Sequence, residues 1–231
     1  HMPTPNAQAR TWACFIDGTH LHTAGTVVAA ETLQSGGLVD VWSRNGADPH
    51  RVMWAGRGHM RVRPDLPEEE AGYPIRILRS ALGQNSPERD LLLTPQHSVL
   101  YNGQSVPVRL LVNGCSIFYD HSITEYYYTV VQTQTHAVLV AEGVPTECYL
   151  AQENRGIDAW RGAMVHLGGA GLHVWDREVT PLQRPDRAAL AATFAQLRAR
   201  GTAVPGCRPG AWSAGLGSPP STLRHLPTTT Q

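Results

Sequence analysis

The sequence predicts an all-β domain of many short strands, followed by a C-terminal extension that carries one helix. Three observations predict it. Runs of β-branched and aromatic residues, such as "RVMWAGRGHMRVRP" and "EYYYTVVQTQTHAVLVAEG", recur between Cys14 and Leu150. Gly, Pro and Asn separate them at the short intervals expected of turns. Only "RPDRAALAATFAQLRARG" has the content and spacing of a helix.

In chain order, residues 1–12 are polar and carry two prolines, a flexible lead. His1-Met2 reads as the scar of a cleaved tag. "CFIDGTHLHT" alternates around Gly18, and "GTVVAAETLQSGGLVDVWS" gives two apolar stretches split by Gly36-Gly37. "RVMWAGRGHMRVRP" alternates, with glycine expected at a turn. "YPIRILRSALG" puts Ile75 and Ile77 on one face with Arg76 between them. Asn102-Gly103, flanked by apolar runs, is a hairpin signal. "PEEEAGYP", Pro67 to Pro74, is a solvated loop. In the helix, predicted over 186–200, Pro185 and Asp186 suit the start, Leu190, Phe194 and Leu197 form the stripe, and Gly201 follows the end. From Pro205 the chain is rich in Gly, Pro, Ser and Thr and reads as loosely ordered.

Composition excludes several functions. The 231 residues suffice for one domain with an appendage, and 42% hydrophobic against 16% charged content supplies a sizeable core. Formal net charge is zero, so nothing argues for nucleic acid or an acidic membrane surface. Every basic residue is Arg, which removes Schiff-base and Walker-type lysine chemistry. No apolar run reaches the length of a membrane span. The four cysteines, Cys14, Cys115, Cys148 and Cys207, form no C-x-x-C pair, which argues against structural zinc. Scattered over so long a chain they do not make a disulfide framework. No cofactor is called for, and the compartment stays open between cytoplasm and secretion.

Three stretches carry chemistry together: "ACFIDGT" at Cys14, "LTPQH" from Leu93 to His97, and "THAVLVAEGVPTECYL" from Thr135 to Leu150. With "DLLLTPQHSVL" and "VPVRLLVNG", they resemble the Hint domain, the hedgehog–intein autoprocessing module, in a bacterial subfamily. The resemblance runs from about Cys14 to Arg155 and implies the compact horseshoe of that fold. It divides the chain into an extein-like lead (1–13), a Hint domain (14–155) and an extension (156–231).

The resemblance also implies a reaction. Cys14 attacks the Ala13 carbonyl, converting the amide to a thioester. A free thiol ionises near pH ~8.5, so the step needs activation. The T-x-x-H box supplies it: His97 protonates the departing amide nitrogen and Thr94 hydrogen-bonds the same amide, with Pro95 stiffening the turn. Glu147 and Cys148 stand where an intein carries His and Asn, so release by Asn cyclisation is not expected. Cys148 is expected near Cys14, as a second thiol or as a small core residue. His136 is an acid or base for thioester cleavage, or a strand-end histidine. The substrate is the chain's own N-terminal segment, passed to water, a thiol or another small nucleophile.

Other residues have plainer readings beside the chemical one. Asp17 and Asp120 are carboxylates that could act as a base, though Asp17 before Gly18 suits a turn better. Gly37 replaces the Asp common in the family's early turn. The hedgehog-type acid that activates an alcohol has no counterpart unless His59 serves, so sterol transfer is not supported. His20 and His22 have metal-pair spacing, but no third ligand accompanies them. Two other function classes compete. One is a catalytically silent Hint-fold spacer in a longer bacterial protein. The other is a cysteine hydrolase acting in trans through Cys14 and His97.

Overall fold

A computed structural model describes residues 13–134, 137–148 and 185–207, with the Cys148 side chain outside that set. The chain is mostly β. Thirteen strands run in order: β1 (Ala13–Ile16), β2 (His20–Thr23), β3 (Thr26–Ala29), β4 (Leu38–Ser43), β5 (Gly46–Arg61), β6 (Ile75–Ile77), β7 (Leu91–Leu93), β8 (His97–Tyr101), β9 (Gln104–Pro107), β10 (Ile117–Tyr119), β11 (Glu125–Thr133), β12 (Leu139–Ala141) and β13 (Val144–Cys148). Among the described residues one α-helix, α1 (Arg187–Gly201), follows.

Ten strands form a curled sheet, with the path β1-β11-β5-β4-β12-β13-β8-β9 and the β2–β3 hairpin attached through β12. A second sheet has the order β10-β6-β7. This is the many-stranded, curled architecture that the sequence predicts. Turn chemistry explains several corners. Asn102 and Gly103 have φ of 50° and 75°, as a two-residue hairpin turn between β8 and β9 requires. Ile75 and Ile77 are fully buried, and Arg76 between them donates to Asp120 at 2.6 Å.

β5 departs from expectation. The alternating run around Gly56 and Gly58 is no turn but the middle of one 16-residue strand. Its first part pairs with β4 and its second with β11, so it joins the two wings of the sheet. A register shift opposite Gln132 and Thr133 leaves one extra residue, Met53, on β5. Gly58 lies opposite Tyr128, and a Cβ there would fall inside the tyrosine ring. The glycine therefore makes room for a fully buried aromatic side chain.

The helix starts one residue later than predicted and ends on Gly201. Asp186 caps it, accepting from the Ala189 N–H at 2.7 Å. Leu190, Thr193, Leu197 and Gly201 form the buried stripe, while Phe194 is only half-buried. A Cβ on Gly201 would come within 2.9 Å of the Ser116 hydroxyl, so the close approach replaces the apolar stripe's last side chain. The expectation about cysteines fails here. Cys115 and Cys207 form a disulfide across 92 residues, their Cα atoms 4.6 Å apart. Two cysteines remote in sequence meet because α1 returns to the loop before β10.

No helix among the described residues is long and apolar enough to cross a membrane. The loosely ordered tail was expected from Pro205; all of it beyond Cys207 lies outside the described residues.

Candidate active site

β1 places Ala13 and Cys14 at one end of the curled sheet, paired with Val131 and Val130 of β11. Two short strands, β7 and β8, bracket the turn Thr94-Pro95-Gln96-His97, closed by the His97 N–H donating to the Thr94 carbonyl at 3.1 Å. This turn brings two side chains three residues apart against β1. The Thr94 hydroxyl lies 3.6 Å from the Cys14 Sγ and 3.0 Å from His97 Nδ1. Thiol, hydroxyl and imidazole thus stand in one line, and all three residues are buried.

Burial sets the electrostatics. It lowers the His97 pKa from 6.5 to about 4, against the opposing pull of the Thr94 and Cys14 backbones. The imidazole is therefore neutral near pH 7. Nδ1 faces the Thr94 hydroxyl at 3.0 Å and the Thr94 carbonyl at 3.3 Å. Nε2 is buried with no hydrogen bond of full geometry, although the Cys14 backbone lies close enough to act on the ring. When the hydroxyl donates to Nδ1, the ring's proton is on Nε2.

Sequence reasoning missed three neighbours. The Phe15 ring packs against His97, with centroids 5.5 Å apart. Tyr126 and Tyr128 lie on the Cys14 face of β11, and burial pushes both phenol pKa values above the usual value. All three read as ordinary strand residues; the β1–β11 register places the tyrosines, and the ring contact with His97 places Phe15, which alternates onto the face opposite the thiol.

Strand alternation sorts the other candidates. Cys14, Val130, Tyr128 and Gly58 share one face of the β1–β11–β5 ladder. Asp17, Arg57, His59 and Tyr127 belong to the other. Asp17 continues the ladder, its N–H donating to the Tyr127 carbonyl at 3.0 Å, and its carboxylate pairs with Arg57. His59 Nε2 lies 2.5 Å from Glu125, and the His59 ring lies 4.6 Å from Tyr127. Asp120 is a structural carboxylate. Burial pushes its pKa up, but hydrogen bonds from Ser122 and Arg76 outweigh that and hold it below the usual value.

The remaining candidates lie apart from the Cys14 line. The Arg89 guanidinium is 2.7 Å from the His20 ring, and His22 lies 3.4 Å from Glu88. Among the described residues no group of three or more His, Cys, Asp and Glu could hold a metal. Cys148 pairs with His97 across β13 and β8, so its backbone adjoins the site. Glu147 pairs with Ser98 on the opposite face, is buried, and accepts from the Ser105 hydroxyl at 2.9 Å. His136 lies outside the described residues.

A model of the Hint domain family matches residues 13–153. The chain belongs to the Hint domain family. The match covers β1 through β13 and stops before α1, so the helix lies outside the matched residues. No curated protein and no solved structure matches the chain.

Proposed function

We propose that this Hint domain cleaves its own chain between Ala13 and Cys14 through a thioester. The observation that carries the reading is the line from Cys14 Sγ through Thr94 Oγ1 to His97 Nδ1, at 3.6 and 3.0 Å. The thiol proton passes to the Thr94 oxygen as the threonine proton passes to His97 Nδ1. Sγ adds to the Ala13 carbonyl carbon. His97 Nε2–H then gives its proton to the Cys14 nitrogen as the C–N bond breaks. Sulfur loses one proton and nitrogen gains one, so the acyl shift balances without an outside acid. Water or a thiol next attacks the thioester, breaks the C–S bond and restores the Cys14 thiol. The peptide released is the N-terminal segment.

Two features support this reading over the competing classes. A silent spacer has no need for a buried thiol aligned with a buried histidine. A hydrolase acting in trans must admit a substrate, but Cys14 is 0% and His97 1% exposed. A bond already inside the fold meets no such barrier.

The test is intact mass of the full chain beside Cys14→Ala, each incubated with hydroxylamine. The expected products are an N-terminal hydroxamate ending at Ala13 and a chain beginning at Cys14, both absent from the variant. A folded wild-type chain that stays whole under these conditions would falsify the proposal.

A further inference from the structure

We propose that Cys115–Cys207 is a redox clamp that locks the added helix α1 onto the Hint core and opens without dismantling the Cys14 site. One jaw is preformed. The Asn113 side-chain carbonyl accepts from the Cys115, Ser116 and Ile117 N–H groups at 2.9, 2.9 and 3.1 Å, and its amide donates to the Ser116 hydroxyl at 3.0 Å. The loop therefore presents Cys115 in one geometry whether or not its partner is bound.

The other jaw is the turn that ends α1. Gly201 packs on Ser116, and the Cys207 N–H donates to the Val204 carbonyl at 3.1 Å. Among the described residues few other ties hold the helix. Its apolar anchors are Leu190 and Leu197, and Arg200 Nε donates to the Ser80 carbonyl at 2.9 Å. A stripe this thin holds a 15-residue helix weakly without a covalent tie.

The clamp and the thiol sit on different elements. α1 packs on the 3₁₀ turn Val108–Leu111, whereas Cys14 lies on β1, paired to β11. Cys14 is buried, whereas Cys115 and Cys207 are half-buried and bonded to each other. Oxidation therefore selects that pair: two thiols give up two protons and two electrons to a small disulfide such as oxidised glutathione, which leaves as two thiols. Such an oxidant prevails outside a reducing cytosol, so the clamp assigns the chain to an oxidising compartment.

The experiment is hydrogen exchange on the full chain, oxidised with glutathione disulfide and then reduced with a phosphine. A phosphine is not a thiol and leaves the question of thioester cleavage separate. Non-reducing peptide mapping is expected to join the Cys115 and Cys207 peptides. Reduction is expected to speed exchange in α1 by about tenfold or more, while β1, β8 and β11 keep their protection. Cys207→Ser should reproduce this without reductant. Alkylation of both cysteines in the native oxidised chain would overturn the clamp. So would unchanged exchange in α1, or loss of protection in every strand together.

Discussion

Two cysteine-bearing regions of this molecule are built on opposite terms. At the Cys14 site a thiol is buried among a threonine, a histidine and the β11 tyrosines, with the threonine hydroxyl between the sulfur and the imidazole. At Cys115 the thiol is half-buried and held by backbone hydrogen bonds, and its neighbour is another thiol. Burial alone does not separate reactive from structural cysteine. What separates them is which groups lie within a few ångströms, and whether these accept a proton or complete a bond.

The sharpest break in that comparison comes from His97. His97→Ala should slow hydroxylamine cleavage about a thousandfold, read from the rate of product appearance by intact mass, with Cys207→Ser changing that rate less than about twofold. The converse holds for stability. Removing the disulfide relaxes a constraint across 92 residues, and Cys207→Ser should lower the unfolding free energy by about 4.6 kcal/mol in a urea titration of the α1 signal.

Acid probes the first region alone. An unfolded imidazole gains its proton near pH 6.5, whereas His97 gains it only near pH 4. Between these values the unfolded chain binds more protons, so stability falls as pH drops from 6.5 to 4 and this contribution is flat below. The shift corresponds to about 3 kcal/mol. It should appear as an extra pH slope in the wild type that His97→Gln lacks.

A smaller effect belongs to the middle of the line. Thr94→Val should cost about tenfold in cleavage rate, and Thr94→Ser should keep most of it, because only the hydroxyl relays the proton. The smallest belongs to the wrong face of the sheet. Asp17→Asn and His59→Gln should leave the rate within about twofold, since alternation places both away from the thiol. A large loss in either would mean that the ladder's outer face takes part.

Much of this was legible beforehand, for identifiable reasons. Asn102-Gly103 announces its hairpin because two successive positive φ angles suit few other residues. The helix was legible from its cap and composition, but its last buried contact was not, because Gly201 serves by having no side chain. Gly58 misled for the same reason. A glycine in an alternating run signals a turn or a close approach, and only the partner strand shows which. Cys14, Thr94 and His97 were legible as a family pattern. That Thr94 bridges the other two depends on side-chain positions no spacing encodes. The disulfide was hidden because its halves lie 92 residues apart, one in the loop before β10 and the other after α1.

The extra residue at Met53 has a consequence for how the sequence can change in length. β5 carries two pairings, one with β4 and one with β11, and Met53 is the joint between them. Elsewhere in β5, gaining or losing one residue would swap its two faces and push Arg57 or His59 beneath Tyr128. At Met53 the ladder already accommodates an unmatched position. That joint acts like a slack link in a chain, and insertions or deletions in β5 should be tolerated there before anywhere else along it.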